Sequence, residues 1–461
     1  MEITSTIAQS PPAVYTPKPM RQKDVFWFWL PLFASWLLMT MEGPFVTATI
    51  NRLPNEVIML AARGIVVSLS VTIESPIINL LATSTALVKD RASFLLVRRF
   101  TVHWMIFLTA VTFLIAFTPV FEFVVIRLLG TPAEIAVWVQ PGLKILLFWS
   151  AAIAWRRFLQ GVLIHFNQPK KVAWGTVVRL ISSAGTAFTL GMWSGLPGVI
   201  IGATALMLGV TAEAAYATWA VRPLLKNELS PAAPPAADDP LTYRELFWFH
   251  LPLAGTSVLI LFTQPLVTSS LARLQNPTLS LAAWPVLFQI MLMARAAAFA
   301  LPEVIIALTK NKESYRPLRR FSFNLAFLIT GVMLLFTVTP ISTFYIFVVQ
   351  DMTGPVGNLV KMALVFFLFF PALTVIDMWL RGVLIHGRHT KDVNIAMGIN
   401  LVVTAVVLGI GMVYQAPGLP TAALALNAAI ICEIIYLLWR THRFVPLSLP
   451  SWGKLSPKPT V

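Results

Sequence analysis

Twelve stretches of mostly apolar residues lie between Val25 and Trp439 and leave little of the chain for anything else. A membrane-spanning helix needs about 20 such residues, because the hydrocarbon slab is about 30 Å thick and a helix rises about 1.5 Å per residue. The stretches cover 25–48, 57–85, 101–126, 137–163, 172–194, 197–221, 246–270, 279–308, 321–348, 358–385, 393–415 and 418–439. They predict an all-α polytopic membrane protein with twelve transmembrane helices. Only 11% of the 461 residues are charged, against about 25% in a soluble domain. That excludes a soluble enzyme, a disordered chain and a nucleic-acid partner, despite a formal net charge of +15.

The basic residues are distributed by loop. Most of the 34 Lys and Arg fall in the N-terminus up to Lys23, in alternate loops, and in the tail from Arg440. Those loops run around Lys89–Arg99, Arg156–Lys171, Arg222–Arg244, Lys310–Arg320 and Arg381–Lys391. The loops on the other side hold little beyond Arg52, Arg127 and Arg273. Cytoplasmic loops carry the Lys/Arg excess, so both termini are expected inside, in a plasma (inner) membrane, with anionic lipid head groups as secondary partners. Residues 1–24 are polar and Pro-rich, which predicts no cleavable signal and a first span that acts as its own insertion signal. The lone Cys432 permits no disulfide within one chain.

Shifted by 221 residues, the chain matches itself. Phe26-Trp27-Phe28 and Leu30-Pro31-Leu32 align with Phe247-Trp248-Phe249 and Leu251-Pro252-Leu253. Arg52-Leu53 and Asn55 align with Arg273-Leu274 and Asn276, and Gly161 to His165 with Gly382 to His386. After a one-residue slip, Glu213, Tyr216 and Trp219 match Glu433, Tyr436 and Trp439. Six spans per copy is an even number, so both copies start and end on one side as parallel repeats about an axis along the membrane normal. The expected organisation is a cytoplasmic segment 1–24, a bundle 25–221, a Pro-rich linker 222–245, a bundle 246–439 and a tail 440–461. Two such bundles around a central cleft predict a transporter.

An ionisable group at mid-bilayer costs a few kcal/mol, roughly 3 on insertion scales, so each is a candidate site. Glu42 precedes Gly43-Pro44, and its repeat region is Gln264-Pro265, which predicts a paired helix break lining the cleft or a packing kink. Arg63 and Glu74 share a helix face about 16 Å apart. Glu74 and Arg295 are repeat partners of opposite charge. Facing each other across the axis, they would form either a polarised site, with Arg295 on an anionic group and Glu74 on a coupling cation, or a structural pair acting as a gate. Glu303, after Pro302, is a further candidate or a snorkelling acid. Asp377 and Arg381 have the spacing of an intrahelical pair, Glu213 and Glu433 suggest a shared packing role, and Lys144, Arg179 and Lys361 are expected to snorkel.

His165, His386 and His389 fall in basic loops without a carboxylate or thiol pattern that would make a metal site. Phosphate-cradling GxxxxGK[ST], GxSxG and HExxH are absent, so neither an ATP motor nor an enzyme is indicated. No cofactor is expected beyond H+ or Na+ as a coupling ion.

The six-plus-six parallel duplication resembles the MATE-type, or MOP flippase, superfamily. Several segments carry a likeness to its progressive ankylosis branch. They are Phe247-Trp248 to Leu253, Gln264-Pro265-Leu266-Val267 with Arg273, Ala152 to Trp155 with Gly161, Phe369-Phe370-Pro371 with Arg381-Gly382, and Ala416-Pro417-Gly418 leading to Cys432-Glu433. The resemblance implies two bundles forming a V, alternating access, and efflux of pyrophosphate, ATP or citrate-like anions by a monomer. Glu42, Arg63, Glu74, Gln264 and Arg295 would line the cleft. Related branches imply two alternatives: a cation-coupled multidrug exporter using Glu42 and Glu74, and a flippase for lipid-linked glycans.

Overall fold

The computed structural model describes residues 20–166, 168–230, 241–309, 314–387 and 389–444. The Pro-rich centre of the expected linker, 231–240, and the outer parts of both terminal segments lie outside the described residues. All regular elements among the described residues are helices. The first half contains α1 (Gln22–Asn51), α2 (Glu56–Glu74), α3 (Leu80–Leu87), α4 (Arg91–Phe117), α5 (Ala133–Ile145), α6 (Trp149–His165), α7 (Pro169–Trp193) and α8 (Gly198–Asn227). The second half contains α9 (Tyr243–Leu261), α10 (Thr263–Leu271), α11 (Pro277–Phe299), α12 (Leu301–Leu308), α13 (Tyr315–Val338), α14 (Pro340–Phe344), α15 (Gly354–Phe366), α16 (Phe370–His386), α17 (Thr390–Val413) and α18 (Gly418–Phe444).

Among the described residues, ten helical segments are long and apolar enough to cross a bilayer, and α15 with α16, bent by 49°, make an eleventh. The remaining expected span is α7, whose 25 residues include Lys170, Lys171 and Arg179. It is joined to α8 by a short turn and packs along it, so it traverses the same slab despite its polarity. The chain is an integral membrane protein.

The two halves repeat in backbone detail. Asn55 (φ 58°) and Asn276 (φ 51°) are both left-handed and immediately precede α2 and α11. Asparagine adopts that conformation more readily than most residues. The far ends of spans 3 and 9 finish in wide turns, 122–128 and 345–349, each followed by a left-handed residue, Gly130 (φ 70°) or Asp351 (φ 52°). The expected paired break is present on one side only. The second half parts at Phe262 between α9 and α10, whereas α1 runs unbroken through Pro31 and Pro44. Proline removes one backbone donor, and α1 is braced by α7 and α11, which allows the helix to continue.

The halves meet where α2 crosses α11. A Cβ on Gly64 would lie 2.8 Å from Cγ of Pro285, so only glycine permits this approach. Gly64 and Pro285 are repeat partners, which puts the crossing on the pseudo-two-fold axis. Thr47 and Gln289 hydrogen-bond across it at 3.0 Å, and Ser68 and Thr268 at 3.3 Å. Beyond the crossing the second spans part. There α3 packs on α6 and α12 on α16, each within its own half.

Both ends of the bundle carry paired hooks. At the far end, where α1 finishes, Arg52 donates to the Val349 carbonyl at 3.0 Å and Arg273 to the Arg127 and Leu129 carbonyls at 3.1 and 3.0 Å. Each arginine thus satisfies carbonyls that the end of the other half's wide turn leaves open. At the terminal end, Trp29 Nε1 donates to the Ala297 carbonyl at 2.9 Å, and His250 Nε2 is 3.0 Å from the Pro76 carbonyl. Trp29 and His250 are repeat partners, as are Ala297 and Pro76, so one hook is made twice. Hydrogen bonds to charged donors contribute about 1.5–3 kcal/mol each where water is excluded; Arg52 and Arg273 are exposed, so their hooks contribute less than that. We expect Arg52→Ala with Arg273→Ala to speed labelling of a thiol at Ser68→Cys by a membrane-impermeant maleimide, in a Cys432→Ser background. Labelling as slow as with both arginines in place would show that they do not hold the far end shut.

Two buried chains of charge as the candidate functional site

In the first half, acids and arginines alternate across five helices. Glu42 on α1 accepts from Arg179 on α7 through both carboxylate oxygens, with Nε at 3.1 Å. The other side of Arg179 is 3.9 Å from Glu213 on α8. Arg156 on α6 donates to Glu213 at 2.8 Å, and Gln160 one turn along donates to its second oxygen at 2.9 Å. Arg156, Arg179 and the adjacent Arg157 all act electrostatically on Glu74 at the end of α2, and no hydrogen bond joins it to Arg156. One oxygen of Glu74 and Nε of Arg156 are buried without a partner. An unpaired charge in this setting costs several kcal/mol, whereas a chain of alternating sign compensates each member. A small hollow of about 10 Å³ borders Glu42, Arg156, Thr176 and Arg179.

The second half repeats the arrangement with different residues. Asn400 on α17 donates to Glu433 on α18 at 2.8 Å, and Arg381 on α16 is ion-paired with the same carboxylate. Arg381 also reaches Asp377, one turn back, at 3.0 Å. Asp377 is the strongest electrostatic neighbour of Arg295 on α11. The Arg295 guanidinium lies between the rings of Phe299 (5.1 Å) and Phe370 (4.8 Å), and its Nε donates to Thr374 at 2.9 Å. Phe299 packs in turn on Trp36 of α1, 5.2 Å away across the halves.

The structure places the sequence-predicted residues unevenly. Glu42 and Glu74 belong to the first chain and Arg295 to the second. Among the described residues no hydrogen bond or ion pair joins Glu74 to Arg295, because each is drawn to the helix beside it in its own half. Arg63 is buried near the crossing and donates to Thr47 at 3.1 Å. Gln264 is half-buried in α10, Glu303 is exposed on α12, and neither enters a chain. Asp377 and Arg381 form the expected intrahelical pair. Glu213 and Glu433 occupy equivalent places as acceptors of an arginine and an amide. Arg179, read from sequence as a snorkelling cation, is instead turned inward, because Glu42 and Glu213 compensate it there. Gln160 and Asn400 carried no sequence signal, being neutral.

No protein-family profile and no curated protein matches the chain. Solved structures do. An inward-facing multidrug resistance MATE family transporter of the MOP superfamily superposes with a TM-score of 0.69 at 14% identity, over 94% of this chain and 100% of that one. The lipid II flippase MurJ, in an inward closed conformation, gives 0.68 at 14%, over 89% and 87%. A MOP superfamily transporter from Pyrococcus furiosus, described as having a binding pocket of reverse polarity, gives 0.61 at 14%, over 92% and 96%. The chain therefore has the MATE-type fold.

Breaking a buried ion pair by removing one partner costs about 3–5 kcal/mol. Glu213→Leu strands Arg156 and leaves Arg179 with Glu42 alone, and Glu433→Leu leaves Arg381 with Asp377 alone and Asn400 without its acceptor. Both variants should melt well below the wild type in detergent. A Glu213→Leu protein as stable as wild type would show that its chain contributes nothing to the fold.

Proposed function

We propose that the protein is a secondary active transporter that works by alternating access and exports small organic or phosphorylated anions such as pyrophosphate, ATP or citrate. The observation that carries this reading is the setting of Arg295. Arg156, Arg179 and Arg381 are each in contact with a carboxylate, whereas the Arg295 guanidinium meets a hydroxyl and two aromatic faces. A planar cation whose hydrogen bond and ring contacts are all to neutral groups, with Asp377 beside it but not bonded to it, keeps donors for an incoming carboxylate or phosphate. The MATE-type fold supports the transport reading, and the two halves within one chain suit a monomer. The Lys/Arg bias supports termini on the cytoplasmic side of the plasma (inner) membrane.

In this reading Glu74 takes the coupling ion, H+ or Na+, since its unpartnered oxygen lies in the half opposite Arg295. That same oxygen favours, as a second reading, a cation-coupled multidrug exporter. The likeness to a lipid II flippase supports a third, a lipid-linked substrate.

Flux in proteoliposomes separates them. Pyrophosphate, ATP and citrate are compared with tetraphenylphosphonium, using wild type, Arg295→Gln and Glu74→Gln. Pyrophosphate flux falling by about tenfold or more in Arg295→Gln, with loss of gradient-driven stimulation in Glu74→Gln, is the expected result. Cation flux that ignores Arg295 but needs Glu74 would replace this reading with the drug exporter. Absence of any flux, with transfer of a lipid-linked pyrophosphate, would replace it with the flippase.

A further inference from the structure

The two chains, counted from the α8 and α18 acids, differ by one member, and that difference reverses the sign of the residue on the second span. Counting inward from the acid on α8, the first half runs Glu213, Arg156, Glu74. Counting from the equivalent acid on α18, the second runs Glu433, Arg381, Asp377, Arg295. The positions correspond throughout: Arg156 with Asp377, Gln160 with Arg381, Glu74 with Arg295. Where the first half has a neutral amide 2.9 Å from its α8 acid, the second has an arginine. That arginine needs a further acid, which stands where the first half has Arg156. The residue beyond it, on the second span, then has to be a cation. α2 packs on α6 and α11 on α16, and Arg295 donates to Thr374, about one turn before Asp377, at 2.9 Å.

We infer that each half sets the charge it presents to the cleft by the length of its alternating chain. Gln160 and Arg156 make Glu74 the acidic pole, and Arg381 and Asp377 make Arg295 the cationic pole. These four are positioning residues, since they act through Glu74 and Arg295. The cleft is accordingly bipolar, with an anionic group of the substrate on one wall and a coupling cation on the other. This last step rests on the anion-transport reading above. The alternation itself does not.

The test converts the second half's chain into the first half's. The full-length protein is prepared as wild type, as Asp377→Arg, and as the triple variant Arg295→Glu, Asp377→Arg, Arg381→Gln. Asp377→Arg places three arginines together and is expected to lower the melting temperature by about 5 °C or more, or to prevent folding. The triple variant restores alternation and should melt close to wild type, while pyrophosphate flux in proteoliposomes falls by about tenfold or more. A triple variant no more stable than Asp377→Arg would overturn the alternation rule. A stable triple variant that still carries pyrophosphate would overturn the assignment of polarity. Should wild type carry no pyrophosphate, the transport reading fails, and the comparison of melting temperatures still decides the rule.

Discussion

The constraint on which this structure depends is the cost of a bare charge in hydrocarbon. An ionised side chain deep in a bilayer is costly, and partners or water must compensate it. The first half answers with Glu42, Arg179, Glu213, Arg156 and Glu74 in alternation, tying α1, α7, α8, α6 and α2 together. The second half ties α17, α18, α16 and α11 together in the same way. Because the compensation is internal to each half, neither needs the other's charges to remain folded.

What joins the halves is of a different kind. The far-end bonds of Arg52 and Arg273 go to backbone carbonyls, as do those of Trp29 and His250 at the terminal end. None of the chain residues takes part in these hooks. Closure and compensation are therefore separable, and a hook can open without stranding a charge. The tight crossing at Gly64 and Pro285 supplies a fixed point between them.

Much of this was legible in the sequence. Span positions follow from apolar length, and the 221-residue repeat is visible as identities such as Arg52 with Arg273 and Asn55 with Asn276. Those identities mark the structural joints: the hooks and the left-handed starts of α2 and α11. The site was harder to read, because its repeat partners are not identities. Glu74 and Arg295 differ, as do Arg156 and Asp377, and opposite signs at partner positions suggested either a polarised site or an ion pair across the axis; no ion pair joins them among the described residues. The charge chains themselves depend on Gln160 and Asn400, neutral residues without a hydropathic signature. Arg179 was misplaced for a similar reason. Its position near a span end suits snorkelling, and only the arrangement of α1 and α8 shows two acids waiting for it. Pro44 shows the opposite limit, since a local breaker was overridden by packing on both sides of α1.

The central claim is that each half moves as a rigid unit held by its own charge chain. Distances between spin labels test it most directly, on a Cys432→Ser background. The exposed positions Trp193 and Tyr414 are at the far ends of α7 and α17, one in each half, while Phe123 shares a half with Trp193. With labels at Trp193→Cys and Tyr414→Cys, adding pyrophosphate under an ion gradient should shift the distance distribution. Labels at Trp193→Cys and Phe123→Cys should report one unchanged distance throughout. A change within the half, with the distance between halves fixed, would contradict the account.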